Sequence, residues 1–217
     1  MKKLITFSIF CFFLLVLPAH SIASESSAQT LSLPALKTGW SRVNIENVGS
    51  IDLPQTIPVL EKTPKNLSIN KSQNLTVQQF RAGQVGRGEK FASVVLVTEI
   101  FGKQLDFNIH ELTKLDIAEL DMGFKHQQQQ HAVRRGYKIN KWQQLSIEKV
   151  NGISCIHINY TMQHLDDNFT LNYHQYVFPI NDRTHTLSLS YRLSDSGYWK
   201  DDFVDILNSF TIINHGR

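Results

Sequence analysis

ISCIHINYTMQHLDDNFTLNYHQYVFP, residues 153–179, alternates apolar and polar side chains on both sides of Asp166-Asp167. Period-two alternation marks strands with one buried face, and the acidic pair reads as a two-residue hairpin turn. That turn sets Ile156 opposite Val177, Tyr160 opposite Tyr173 and Met162 opposite Leu171. One face is then apolar throughout, apart from Gln175. Slipping the register by one residue would pair these side chains with polar ones, so turn and pattern agree. The other face carries Cys155/Phe178, His157/Tyr176, Asn159/His174 and Thr161/Asn172.

The polar constellation on that second face, His157, Asn159, His174 and Tyr176, is the candidate site. Imidazoles on neighbouring strands can approach one metal ion or small anion. The competing reading is structural: a wet sheet face, or one covered by the long helix, with each polar group hydrogen-bonded. Only two good ligands are present, and no carboxylate falls in register with them, since Asp166 and Asp167 lie at the turn. The structural reading is therefore the expectation, with no metal and no cofactor.

Strands also extend over Lys141–Lys149 and Thr184–Leu193, completing a meander. After it, Trp199, Phe203, Ile206, Leu207 and Phe210 recur at helical spacing, with Ser194 and Ser196 offered as caps. Residues 208–213 close as a short strand. Upstream, Asn108–Arg135 lacks proline and reads as helical. Ile109, Leu112, Leu120 and Phe124 form its apolar stripe, Leu115 and Met122 fall outside it, and Gly123 suggests a kink or boundary. His126 and His131 stand five residues apart, on different sides of a helix, and His110-Glu111 lacks a second histidine at Lys114. Both read as solvated helix faces. Val43–Ile45 and Ser50–Leu53 form an opening hairpin around Asn47-Val48-Gly49. Leu75–Phe80 and Phe91–Ile100 are two further strands. The GQVGRG stretch at 83–88 joins them and is followed by a strand, so it reads as a hairpin loop, not a phosphate cradle. Lys62–Asn74 reads as an exposed loop.

Composition bounds the function. Of 217 residues, 41% are apolar and 19% charged, which describes a globular chain. The formal charge of +3 includes Lys2 and Lys3, so no nucleic-acid footprint is left once they are removed. Those lysines, the apolar run Leu4–Leu17 and Ser21-Ile22-Ala23 make a secretory signal peptide cleaved after Ala23 or after Ser21. The expected organisation is a signal at 1–23, a leader at 24–38 and one α+β domain at 39–217. The product is exported, periplasmic or secreted, without stable membrane insertion. Cys155 is then a single thiol in a strand, read as a small buried hydrophobe. No G-x-S-x-G, no paired Ser/His/Asp spacing and no conspicuous carboxylate pair for acid–base chemistry is present, which argues against an enzyme, although triads can be scattered.

The stretch Leu187-Ser-Leu-Ser-Tyr191-Arg192, then Ser194-Asp195-Ser196-Gly197-Tyr198-Trp199, a helix and Ile206-Leu207-Asn208-Ser209-Phe210 resembles the ending of Mog1/PsbP-like (DcrB-like) domains. Gly39-Trp40-Ser-Arg-Val-Asn-Ile45 and Gly49-Ser-Ile-Asp-Leu-Pro54 resemble the opening hairpin of exported bacterial members. The resemblance implies an α/β/α sandwich with a mainly antiparallel sheet. It also implies a non-catalytic accessory protein that assists a larger assembly, with an unidentified protein partner. No family site motif is present to transfer. The alternatives are a hydrolase or other enzyme with a scattered site, and a small-ligand or metal carrier.

Overall fold

The computed structural model describes residues 35–58, 74–83, 89–103, 105 and 107–213. The signal at 1–23, most of the leader, the loop up to residue 73 and the glycine stretch from residue 84 lie outside them. Nine strands and two helices are described: β1 (Trp40–Ile45), β2 (Gly49–Pro54), β3 (Asn74–Ala82), β4 (Ala92–Ile100), α1 (Lys114–Arg134), β5 (Tyr137–Val150), β6 (Ile153–His164), β7 (Thr170–Ile180), β8 (Arg183–Arg192), α2 (Ser196–Ser209) and β9 (Thr211–Ile212).

Six strands form an antiparallel sheet in the order β3-β4-β8-β7-β6-β5. β5 to β8 are a meander whose outer connections turn on residues that tolerate positive φ, Asn151-Gly152 (50° and 81°) and Asn181 (52°). The crossover from β4 to the far edge passes through α1. The opening hairpin does not join this sheet. β2 instead pairs with β9, making a separate three-stranded sheet, β1-β2-β9.

The β6–β7 register is the one read from the alternation, with Ile156 facing Val177, His157 facing Tyr176 and Met162 facing Leu171. Its turn is wider than two residues. His164 N–H donates to the Phe169 carbonyl at 3.1 Å, and the His164 ring accepts at Nδ1 from the backbone N–H groups of Asp166 and Asp167. An imidazole closes this loop.

α1 packs on the apolar face, where Phe124 and Ala132 meet Ile156, Ile158, Tyr160, Met162, Leu171 and Val177. The polar face that α1 was one candidate to cover is therefore the opposite one. There Trp199, Phe203 and Ile206 of α2 and Phe210 at its C-cap, with Ile45, Ile51 and Leu53 of the small sheet, bury Cys155, Tyr176, Phe178, Leu187, Leu189 and Tyr191. The result is an α/β/α sandwich with the small sheet added to the α2 layer. Arg42 clamps its cross-strand partner Asp52 with two hydrogen bonds, 2.6 and 2.8 Å, and the Asp52 backbone N–H donates to Ser209 Oγ at the end of α2.

Four local expectations change. α1 begins at Lys114, because Thr113 and Asp116 form a capping box, and Ile109–Glu111 is a separate 3-10 turn capped by Asn108. His110-Glu111 and Lys114 therefore do not share a helix. α1 runs unbroken through Gly123, which therefore marks no boundary between two helices. The glutamine run is not wholly solvated: Gln128 accepts from the Tyr160 hydroxyl at 3.2 Å and donates to Gln175 Oε1 at 3.3 Å. That bond satisfies the one polar residue on the apolar face. Finally, α2 is entered from Asp195, not from Ser194 or Ser196. Its carboxylate accepts from the Phe91 backbone N–H at 3.0 Å instead of capping the helix, which ties α2 to the start of β4.

Candidate functional site

The two histidines meet on the α2 face because the β6–β7 register makes them diagonal neighbours, His157 opposite Tyr176 and His174 opposite Asn159. His157 Nε2 lies 3.0 Å from His174 Nδ1. The Tyr176 ring stacks on His157 with centroids 4.5 Å apart and planes within 2°. Asn159 stands between the histidines in the ladder but joins neither. Its amide donates across to Gln143 Oε1 on β5 at 2.5 Å.

A carboxylate does reach the pair, contrary to the reading from residues 153–179 alone. Glu148 of β5 lies opposite Cys155, and its Oε1 is 2.6 Å from His157 Nδ1. Ser146, opposite His157, donates to the same oxygen at 3.0 Å. The sequence held the signal for Glu148. Asn151-Gly152 is a strong two-residue hairpin turn, and counting back from it puts Glu148 on the histidine face. The count works only as far as Ser146. Irregularities between Gln143 and Ser146 and between Ile139 and Lys141 shift the register beyond it.

On the inner side, the Asn172 amide donates to Tyr191 OH at 2.9 Å and lies 3.0 Å from His174 Nε2. Asn172, which the register already put on this face, and Tyr191, which the sequence reading missed, complete a row across four strands: Glu148, His157, His174, Asn172, Tyr191. Burial holds His174 down at about 4. The nearby His157 charge adds to this, and Glu148 opposes it. Cys155 is fully buried, and burial followed by the Glu148 charge pushes its thiol up to about 12. Burial, then Glu148, likewise raises Tyr176.

The row satisfies its own members. His157 has a protein partner on each ring nitrogen, and so does His174. The thiolate that would make Cys155 a nucleophile is disfavoured. Among the described residues, no group of three or more His, Cys, Asp or Glu is placed to hold a metal ion, and no helix is long and apolar enough to cross a membrane. Two further histidines are engaged elsewhere: His185, buried one strand over, pairs with Thr98 Oγ1 at 2.9 Å, and His126 pairs with Gln130 on the outer face of α1.

In sequence the chain matches no family model and no curated protein. In backbone it is similar to cyanobacterial PsbP (CyanoP) from Synechocystis. The match covers 87% of this chain and 98% of that one at 13% identity, with a TM-score of 0.55. The chain has the PsbP fold. Two further solved structures align with lower scores. LpqN, described as involved in cell envelope biogenesis of Mycobacterium tuberculosis, aligns at TM-score 0.44 and 12% identity, over 80% of this chain and 90% of that one. PA94 of Pseudomonas aeruginosa, a protein of unknown function, aligns at 0.39 and 12%, over 79% and 96%. The assignment of the PsbP fold rests on the first. It bears out the resemblance read from residues 187–210 and from the opening hairpin.

Proposed function

We propose that this is an exported, non-catalytic accessory protein that binds a larger assembly in the periplasm or outside the cell. The observation that carries the reading is the PsbP fold, aligned over nearly the whole length of the solved cyanobacterial protein. The signal-like residues 1–23 support export. The candidate site supports a role without catalysis, because its histidines, carboxylate and amide are spent on one another and its thiol is held protonated. On this reading the His157–His174 face is structural.

Two measurements test it. Fractionation with intact mass should place the protein outside the cytoplasm, shortened by residues 1–23 or 1–21. Affinity capture from periplasmic extract, followed by mass spectrometry, should recover a protein partner in fixed ratio. Recovery of none, together with turnover in a substrate screen, would favour a scattered-site enzyme. Calorimetric titration with zinc and with copper should give no micromolar binding. Tight binding that is lost in both His157→Ala and His174→Ala would instead make the protein a metal carrier.

A further inference from the structure

The hydrogen-bonded row on the α2 face has a direction, and that direction is set from its two ends. An ionised Glu148 carboxylate can only accept, so His157 carries a proton on Nδ1. Asn172 Nδ2 can only donate, so His174 Nε2 is bare and the His174 proton sits on Nδ1. His174 Nδ1–H then donates to the bare His157 Nε2, 3.0 Å away. Both imidazoles are neutral, both are Nδ1–H tautomers, and three donors point one way, Asn172 to His174 to His157 to Glu148. The second hydrogen of the Asn172 amide goes to Tyr191 OH.

A further proton on the histidine pair does not fit this order. The Glu148 and His–His bonds engage three of the four ring nitrogens with two protons, so the third proton falls on the fourth, His174 Nε2. There it faces the Asn172 amide nitrogen, donor against donor. The conflict is relieved when the amide turns over and presents Oδ1. Its nitrogen then leaves Tyr191, whose hydroxyl must switch from accepting to donating. Tyr191 is buried with its ring 5.2 Å from Phe203 of α2, edge to face. We infer that Glu148, His157, His174, Asn172 and Tyr191 form a one-proton latch beneath α2, in which acid turns the Asn172 amide over and reverses the Tyr191 hydroxyl from acceptor to donor.

The titratable groups around the pair are Glu148 on β5, Cys155 on β6, Tyr176 on β7 and Tyr191 on β8, and α2 meets the row through the apolar Phe203. Of these Glu148 favours the protonated pair. Burial opposes it, as does the charge that His157 gains on protonation, and together they hold His174 down at about 4.

The test is nitrogen NMR of the 15N-labelled protein, which reads the tautomer of each imidazole directly. At neutral pH both His157 and His174 should be protonated at Nδ1. As the pH falls toward 4, the His174 nitrogens, the Asn172 side-chain amide and the Tyr191 ring should shift with a common midpoint while α1 signals stay in place. Asn172→Asp substitutes an acceptor for the donor, and should raise that midpoint by about 1–3 pH units. Glu148→Gln should release the Nδ1–H preference of His157. An Nε2–H tautomer on either ring at neutral pH would overturn the latch. So would an Asn172 amide that ignores the titration, or a proton that lands on Glu148 with the histidine nitrogens unchanged. If Asn172→Asp fails to fold, the wild-type tautomers and Glu148→Gln decide the matter.

Discussion

Gly49 shows how one residue can hold two parts of the chain together. It ends the turn of the first hairpin and lies opposite Ile212 of β9, so the C-terminal strand runs across its Cα. A Cβ at this position would stand 1.9 Å from the Thr211 carbonyl oxygen, a backbone atom that cannot swing aside. Gly49→Ala is therefore expected to cost ~2–4 kcal/mol, the range of substitutions that force backbone apart. It should also free the bond from Ile213 N–H to the Val48 carbonyl. Urea unfolding measures the first effect and amide exchange at Ile213 the second; a wild-type midpoint would show that β9 does not approach β2 this closely. Cys155 illustrates the opposite case, a reactive residue type made inert by its surroundings. With its thiol buried and pushed up to about 12, it should remain unmodified by a thiol reagent until the protein unfolds. Labelling of the native protein at the rate of a free thiol would contradict that.

At the scale of elements, α1 separates what pattern reveals from what it conceals. Thr113→Ala removes the capping box and should cost about 1 kcal/mol. Gly123→Ala should stabilise by about 0.5–1 kcal/mol, because the position is helical and open and Ala restricts the unfolded chain. A loss of stability in Gly123→Ala would show that the helix bends there after all. The β6–β7 register was legible because apolar side chains line one face of both strands almost without a break, which leaves a single solution. The start of α1 was not, because Asn108 and Thr113 both look like caps and only tertiary packing chooses between them. The same limit divides the site. His157 and His174 follow from alternation alone, and Glu148 could have been counted from Asn151-Gly152. Asn172 follows from the same alternation, whereas Tyr191 required knowing that β8 lies beside β7. The pairing of β9 with β2 spans nearly the whole domain, and no local period encodes it.

For the whole molecule, the buried titratable groups shape stability against pH, and their signs can be worked through. His174 has a folded value of about 4 against 6.5 when unconstrained, so the unfolded chain binds its proton first as the pH drops. Its contribution is complete above pH 6.5 and is lost progressively as the pH falls toward 4, by up to ~3 kcal/mol. His131, also lowered, acts in the same direction. Glu99 and Asp202 act against them, since burial raises both carboxyls and acid relieves that penalty. On the alkaline side, Cys155, Tyr160, Tyr173 and Tyr176 are all raised by burial. They hold their protons in the fold and lose them in the unfolded chain, so stability declines once the pH passes 9 to 10, their unperturbed values. Urea midpoints plotted against pH should therefore form a plateau from about 6.5 to 9 with both flanks falling. His174→Gln should lower the plateau, because the His157 and Asn172 bonds are weakened, and should flatten the acid flank. A variant that lowers the plateau but keeps the acid flank as steep would assign the acid sensitivity to other groups. It would leave His174 with a packing role alone.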